Sequence, residues 1–198
     1  MVTNAISDSV HCPHRFSVEQ YYRMAEVGLL EPDARTELIE GEIYHMPPMG
    51  CRHAATVAWL RDQLMKVVGE GALVLEQYPL RLNRHTEPQP DLILARPRRG
   101  RYRDAHPTAR DVLLVIEVSD STWLYDREVK MPLYAAYGVQ DAWLVDLGVT
   151  QLDCYSAPHG GAFVEQVSTR APGTLVVPSL DVSVDLAELF SFGDQSVS

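Results

Sequence analysis

The chain has 198 residues, 46% of them hydrophobic, so it is long enough to bury a core without disulfide or metal staples. Its three cysteines, Cys12, Cys51 and Cys154, are scattered and form no CxxC pair, which favours reduced thiols over a disulfide framework. No apolar run approaches the roughly 20 residues of a membrane helix, and the N-terminal stretch MVTNAISDSV lacks the pattern of a signal peptide. We therefore expect a cytoplasmic protein with no membrane partner.

The charge of the chain is unevenly distributed. The net charge of −10 argues at first against a polyanionic partner, because phosphate backbones attract basic surfaces. However, residues 96–110 contain six arginines and one aspartate. This basic loop is either a solvated surface loop or a phosphate clamp, in which Arg98, Arg99 and Arg101 contact phosphates and Tyr102 stacks on a base.

The first half of the chain predicts a helix, a hairpin and a longer helix. Ser17 and Gln20 form the capping box of a helix in FSVEQYY that ends at Gly28. TELIEGEIYHM predicts a hairpin that turns at Glu40–Gly41. An apolar stripe predicts an amphipathic helix from Cys51 to about Val68.

The second half is dominated by short apolar runs that predict strands. We place strands near Leu73–Gln77, Leu80–Leu82, Leu92–Ala95, Val112–Val118 and Asp141–Asp146, and further strands in QLDCYSA, AFVEQVS and TLVVPSLDVSVD. A helix is predicted from about Asp126 to Tyr137, and a short closing helix from Leu186 to Phe190. The order of these elements indicates an α/β fold with a mixed sheet flanked by helices and with extra β-hairpins.

Two of the predicted buried strands each carry one carboxylate. Asp91 follows Pro90 directly before the run Leu92–Ala95, and Glu117 follows the apolar run Val112–Ile116. A buried ionised carboxylate costs several kcal/mol unless a partner compensates it. We expect both acids at the rim of the sheet, with a positive charge between them.

The ordered motifs resemble a known group of nucleases. The series RTELIEGEI, a histidine in the following helix, PDLIL, LLVIEVSDST, DREVKMPLYAAYGV and AWLVD is similar to the Uma-type family of restriction-endonuclease-like proteins, within the PD-(D/E)XK nuclease superfamily. The resemblance covers about Phe16 to Tyr155. It implies a restriction-endonuclease-like fold and a metal-dependent endonuclease that hydrolyses phosphodiester bonds, with DNA the favoured nucleic-acid partner. The resemblance does not decide between a monomer and a homodimer.

One departure from the superfamily pattern concerns its lysine. The pattern has a lysine two residues after the second acid, but here Ser119 stands at that position after Glu117. The resemblance implies that Lys130, on the next helix, supplies the same charge. Two alternatives stay open: Lys130 forms an ordinary surface i,i+4 pair with Asp126, or the motif is broken and the protein binds nucleic acid or another protein without cutting.

The predicted metal site follows from the two acids. Magnesium is held by a few carboxylate oxygens and keeps several waters. Asp91 and Glu117, on neighbouring strands, would share one Mg²⁺, for which Mn²⁺ substitutes, with the backbone carbonyl of Val118 as a third ligand. The metal would activate a water for hydrolysis while Lys130 orients or deprotonates it.

Two further residues are candidates for the same site. Glu37, which resembles the family's first acid, binds the metal through water, holds Lys130, or is merely a solvated strand residue. His53 lies on an apolar helical stripe and is either a phosphate contact or a satisfied core histidine. Asp91 itself has the alternative of capping a turn after Pro90. We expect a leader at residues 1–15, a single domain at 16–191 and a tail at 192–198.

Overall fold

A computed structural model describes residues 13–31 and 34–192 of the chain. In these residues a six-stranded mixed sheet in the order β3-β4-β5-β6-β7-β8 is accompanied by the hairpins β1–β2 and β9–β10. The strands are β1 (Thr36–Ile39), β2 (Glu42–His45), β3 (Leu73–Glu76), β4 (Leu92–Ala95), β5 (Val112–Ser119), β6 (Asp141–Asp146), β7 (Gln151–His159), β8 (Ala162–Thr169), β9 (Thr174–Val177) and β10 (Val182–Asp185). Within the sheet β5 and β6 are parallel, while the other neighbours are antiparallel. The predicted α/β class with a mixed sheet and extra hairpins is confirmed.

The central strands are covered on both faces. Helix α2 (Cys51–Val68) packs on the face that carries Leu92, Leu94 and Ile116. The opposite face, which carries Ile93 and Val115, packs against Tyr134 and other apolar residues. Strands β4 and β5 are therefore buried along their whole length, as their unbroken apolar runs predict. Side chains alternate between the faces, so Glu117 points to the face that contains Tyr134.

The N-terminal helix and hairpin form as the sequence predicts. Helix α1 (Val18–Glu26) begins with the capping box of Ser17 and Gln20. The β1–β2 hairpin turns at Glu40 and Gly41, both with positive φ (50° and 82°). A side chain at Gly41 would bring its Cβ within 2.5 Å of the Arg15 Cβ, so this position requires glycine for space as well as for its backbone.

The helix predicted from Asp126 to Tyr137 begins earlier and is not regular. It consists of α3 (Trp123–Tyr125), a π-helical turn (Asp126–Lys130) and α4 (Met131–Ala136). In the widened turn the Met131 amide N–H donates to the carbonyl of Asp126, five residues back. A π turn is an insertion of one residue into a helix, which an apolar repeat of 3.6 residues does not reveal.

Two predicted elements are wrong. Leu80–Leu82 forms no strand; Arg81 makes only an isolated bridge to Thr108. Residues 186–190 form turns rather than a closing helix, and Leu186 and Leu189 are buried by packing onto the α2 side of the core. A short apolar run does not distinguish a packed turn from a helix or strand.

The predicted leader and tail fall mostly outside the described residues, which include only residues 13–15 of the leader and residue 192 of the tail. Arg15, in the predicted leader, lies 3.3 Å from the Glu40 carboxylate. In the part of the chain that the structure describes, no helix combines the length and apolar character that crossing a bilayer requires.

Candidate active site

Asp91 and Glu117 lie at the same end of two paired strands. Asp91 immediately precedes β4 and Glu117 lies near the end of β5. Because Leu92 pairs with Ile116 in the antiparallel register, continuing that register by one residue sets Asp91 opposite Glu117. Opposed residues have Cβ atoms about 5 Å apart. Both side chains are buried, with residue exposures of 7% and 2%.

Asp91 is held in place by the neighbouring strand and by α2. Its Oδ2 accepts hydrogen bonds from the Val118 backbone N–H (2.9 Å) and from His53 Nε2 (3.0 Å). Within an extended strand the N–H and C=O of one residue point to the same edge, so the Val118 carbonyl also faces Asp91. Among the described residues nothing donates to Asp91 Oδ1, which leaves that oxygen for another ligand.

His53 is a hydrogen-bond partner of Asp91, which agrees with the alternative of a satisfied histidine. Burial lowers the pKa of His53, but the hydrogen bond and charge of Asp91 outweigh it and raise the pKa above its ordinary value. The first turn of α2 thus brings an imidazole ring beside Asp91. A contact between His53 and a substrate phosphate stays a prediction.

Glu117 is the most enclosed acid of the site. Its Oε1 accepts a hydrogen bond from the Tyr134 hydroxyl (2.5 Å) and lies 3.2 Å from Lys130 Nζ. Burial raises the pKa of Glu117 well above its ordinary value, and the charges of Asp126 and Asp91 add to this, while Lys130 opposes it. Within residues 13–31 and 34–192 no donor meets Oε2, so one oxygen of this carboxylate also stays available.

Lys130 lies among the acids of this cavity. Its Nζ lies 3.2 Å from Glu37 Oε2, 3.2 Å from Glu117 Oε1 and 3.9 Å from Asp126 Oδ1, and its side chain is only 5% exposed. Burial lowers the pKa of Lys130, but the surrounding carboxylates dominate and raise it well above the ordinary value. The alternative of a surface pair with Asp126 is wrong, because both side chains are buried.

Glu37 connects the hairpin to the lysine. Its Oε2 accepts from the Gln89 backbone N–H (3.2 Å) and pairs with Lys130, and its Oε1 accepts from the Tyr125 hydroxyl (3.1 Å). The side chain is 1% exposed, so the alternative of a solvated strand residue is wrong. Of the two roles that the sequence leaves for Glu37 in the site, the contacts favour holding Lys130 over reaching a metal.

Several residues of this network are missing from the sequence prediction. Asp126 is buried and its Oδ2 accepts from the Ser119 and Thr122 hydroxyls, at 2.6 and 2.7 Å. Tyr134 donates to Glu117, a role that the sequence analysis did not assign to it. The spacing DREVK, with two opposite charges four residues apart before an apolar helix, is the signal that could have marked Asp126, although exposed helix pairs share it.

The titratable groups of this network line one cavity of about 300 Å³. Its lining includes four buried carboxyl groups, Glu37, Asp91, Glu117 and Asp126, together with Lys130 and His53. Within the described residues, no group of three or more His, Cys, Asp or Glu side chains is arranged to hold a metal. The oxygens of Asp91 and Glu117, with the Val118 carbonyl, nevertheless form the small all-oxygen set that suits Mg²⁺, which completes its shell with water. The excess of negative charge also suits a divalent cation.

The basic loop lies far from this cavity. It joins the end of β4 to the start of β5, whereas Asp91 and Glu117 are at the other ends of these strands. A four-residue strand spans roughly 13 Å, and none of Arg98, Arg99 and Arg101 lines the cavity. The loop therefore does not contribute to the lining of this cavity, and contacts of its arginines with phosphates stay a prediction.

Tyr102 does not have the exposed ring that the sequence analysis expects. It is 2% exposed, and its hydroxyl donates to the Arg96 carbonyl (2.9 Å). Arg98 lies over the outer side of the ring, 5.4 Å from its centroid, and pairs with Asp104. The prediction that Tyr102 stacks on a base is wrong because its ring packs into the core and holds the loop in place.

Comparison with known proteins agrees with the fold. The family Uma2, described as "Putative restriction endonuclease", has a profile that matches residues 18–187. Among solved structures, a crystal structure described as "a putative nuclease belonging to DUF820" from Anabaena variabilis is similar, with a TM-score of 0.68 and 18% identity. The alignment covers 89% of this chain and 98% of that chain, and at this identity it shows the fold alone. No curated protein gives a significant match.

Proposed function

Because the chain belongs to the Uma2 family of restriction-endonuclease-like proteins, we propose that it is a metal-dependent endonuclease that hydrolyses phosphodiester bonds in DNA. The observation that carries the proposal is the convergence of Asp91, Glu117 and Lys130, from two strands and a helix, in one cavity. Structural ion pairs of this depth are rarely the most stable choice, since well-packed apolar residues often replace them without loss. Clustered buried charges in a cavity are typical of functional sites.

In the proposed site, Asp91, Glu117 and the Val118 carbonyl would hold Mg²⁺ or Mn²⁺. When bound, the ion supplies a water of lowered pKa and positive charge beside the reacting phosphate. His53 and the Val118 N–H orient Asp91 through its other oxygen. Tyr134 fixes Glu117 in the same way. Each acid thus uses one oxygen for its own position and presents the other to the cavity.

Lys130 acts in this proposal as a fixed positive charge. Since the surrounding carboxylates raise its pKa, it stays protonated at neutral pH and is a poor base. It therefore orients the attacking water and stabilises negative charge on the phosphate, rather than taking a proton. Glu37, held by Tyr125 and the Gln89 N–H, keeps the ammonium group at this point.

The test is plasmid nicking by the purified protein. We expect supercoiled DNA to be nicked with Mg²⁺ or Mn²⁺ and the reaction to stop when a chelator is added. The variant Asp91→Asn, purified in parallel, is the matched control against a contaminating nuclease. If wild type and variant nick equally, or if neither nicks with either metal, the endonuclease proposal fails and a non-catalytic binding module takes its place.

The partner and compartment form part of the same proposal. A nucleic acid, with DNA favoured, is the partner, and the scattered cysteines fit an enzyme of the cytoplasm. The edge strand β8 exposes Val164 and Val167, at 63% and 67%, and offers a homodimer a surface, although nothing in the fold requires one.

A further inference from the structure

The proposed metal ligands and the lysine lie at the bottom of a narrow recess. The side chains of Glu117 and Lys130 are 3% and 5% exposed, and that of Asp91 is 10% exposed. At about 300 Å³ the cavity is at the lower end of the roughly 300–1,000 Å³ of small-ligand pockets, which is about the room of one nucleotide. The segments 46–50 and 120–122 line its outer part. The acids therefore lie below the surface, and a phosphate has to enter the cavity to approach them.

The outer wall of the recess is aromatic and apolar. Tyr44 pairs directly with Glu37 across the β1–β2 hairpin, so both side chains lie on the same face and line the cavity. The Tyr44 ring is 5.6 Å from that of Tyr125, whose hydroxyl donates to Glu37. Met46, Pro47, Pro48 and Met49 continue the wall, and Tyr44 and Met49 are each 37% exposed. Such a surface suits the face of an unpaired base, since proteins bind single strands by stacking bases on aromatic rings.

The charges that line the cavity also favour an unpaired strand over a duplex. Among the lysines and arginines of the described residues, Arg35 and Lys130 alone line the cavity, and Lys130 is enclosed by acids. Duplex binding is driven by many phosphate contacts, about 6–10 in typical cases. Beside Arg35 the lining also holds His45 and the acid Asp120, so it offers few positive charges to a phosphate backbone but several aromatic and apolar side chains to a base.

We propose that this site accepts an unpaired polynucleotide strand, with a base stacked on Tyr44 and the following phosphate directed toward the cation that Asp91 and Glu117 would hold. This inference rests on the proposed function and narrows its substrate class to single strands, frayed ends and flaps. Tyr44 determines specificity in this arrangement: it contacts the base and takes no part in the bond cleavage. The β1–β2 hairpin thereby carries both Tyr44, on which the base stacks, and Glu37, which holds Lys130 in position.

The test separates binding from cleavage. Fluorescence anisotropy with Ca²⁺ in place of Mg²⁺, which would neutralise the carboxylates in the same way, compares a labelled oligodeoxynucleotide with its blunt duplex and with a duplex that has a splayed end. We expect the single strand and the splayed end to bind at least about tenfold more tightly than the blunt duplex, within the range of stacking on one or two bases. An oligoribonucleotide of the same sequence shows whether the site prefers DNA or RNA. Cleavage of the same substrates is then measured with Mg²⁺.

The variants test Tyr44 itself. Tyr44→Ala should weaken binding of the single strand about tenfold and leave binding of the blunt duplex unchanged, while Tyr44→Phe restores the affinity because the ring is kept. Met49→Ser, on the same wall, should have a smaller effect. Val167→Ala, on the exposed edge strand, is the surface control, and thermal unfolding checks that each variant is folded.

The outcomes distinguish this inference from the proposed function. Equal affinity for the blunt duplex and the single strand, or full affinity in folded Tyr44→Ala, overturns the inference even if Mg²⁺-dependent cleavage is found. Selective, Tyr44-dependent binding of the single strand without any cleavage supports the inference while the endonuclease proposal fails. Selective binding together with cleavage of single strands and flaps supports both.

Discussion

The two most charged regions of this protein lie at opposite ends of the same pair of strands. At one end of β4 and β5, four buried carboxyl groups line one cavity, three of them lie within 4 Å of the Lys130 ammonium, and each acid is fixed by at least one hydrogen bond or ion pair. At the other end, the basic loop exposes its arginines, and Arg98 pairs with the exposed Asp104. In the sequence the loop is nearer to Asp91 than Lys130 is, because it directly follows β4. In the fold it lies at the opposite end of β4, where the chain turns back into the antiparallel β5.

Charges on the surface and charges in the interior of this protein differ in what they cost the folded state. Salt screens exposed arginines, and they have little effect on folding stability. Their number alone therefore does not indicate a functional site. Buried carboxylates are expensive, and burial raises the pKa values of Glu117 and Asp126. A fold that retains four of them around one lysine gives up stability at that point, which is a stronger indication of function than the larger charge of the loop.

The largest expected effect is on the acids. Asp91→Asn and Glu117→Gln keep the shape of each side chain and should each lower cleavage by at least about 10³-fold, or about 4 kcal/mol, since each removes a charged metal ligand. Initial rates of plasmid nicking with Mg²⁺ measure this, and titration calorimetry with Mn²⁺ measures metal binding. Unchanged metal affinity in both folded variants would show that the metal is assigned to the wrong end of the strands.

The next effect concerns the lysine. Lys130→Met should lower cleavage by about 10²–10⁴-fold while metal binding survives, because an orienting charge is lost but no metal ligand. Initial nicking rates and metal titration measure the two properties separately. A variant that cuts at the wild-type rate would remove Lys130 from the proposed mechanism.

The same variant should change stability with a definite dependence on pH. Removing one partner of a buried ion pair costs about 3–5 kcal/mol at neutral pH, since the partner carboxylates stay buried. Without the ammonium, burial raises the pKa of Glu117 further, so the folded state binds protons more readily than the unfolded state. The stability deficit of Lys130→Met should therefore shrink as the pH falls toward the ordinary glutamate value, as chemical denaturation at several pH values would measure. A deficit that does not depend on pH would mean that lost packing, not unpaired charge, is its cause.

A smaller effect is expected at the opposite end. In the described part of the chain Arg99 and Arg101 form no ion pair, so Arg99→Ala combined with Arg101→Ala tests phosphate binding without disturbing the Arg98–Asp104 pair. If both contact duplex phosphates, the slope of log affinity against log salt falls by about 1.8, at about 0.9 for each contact. The cleavage rate at saturating DNA should not change, because the loop is remote from the acids. An unchanged slope would make the loop plain surface.

The smallest effect is on the tyrosine of that loop. Tyr102→Phe removes the hydrogen bond from its buried hydroxyl to the Arg96 carbonyl and should cost about 1 kcal/mol of folding stability. Tyr44→Phe is the matched control, since that hydroxyl donates to the exposed Glu42 and its loss should cost less than about 0.5 kcal/mol. Urea denaturation of both variants measures the difference. Equal costs would contradict a structural role for Tyr102.

The sequence was sufficient for elements whose signals are local. The capping box at Ser17, the Glu40–Gly41 turn and the buried runs of β4 and β5 each depend on residues within a few positions of one another. The failures at Leu80–Leu82 and at residues 186–190 are apolar runs too short to show a period, where packing against the rest of the chain decides the conformation.

The sequence predicted those residues of the site that follow from two acids at strand ends, because buried acids require a positively charged partner. That pattern, together with the family resemblance, singled out Asp91, Glu117, Lys130 and Glu37, which the fold brings together. Tyr125 and Asp126 were missed, since their roles depend on the phase of a helix against a distant hairpin. The prediction that Tyr102 is exposed was wrong because the exposure of a side chain depends on how the loop folds. An aromatic residue among arginines can pack into the core as well as lie on the surface.

The π-helical turn Asp126–Lys130 has a consequence for how such proteins diverge. One extra residue in a helix rotates the segment before it by about 100° relative to the segment after it, so the turn sets the angle between Tyr125 and Lys130, which contact the same Glu37 carboxylate. Loss of Val129 alone would leave every charged side chain in the sequence and still rotate Tyr125 relative to Lys130. Divergence in this fold can therefore silence a site through a gap rather than through a substitution, and an alignment scored only on residue identities would overlook the change.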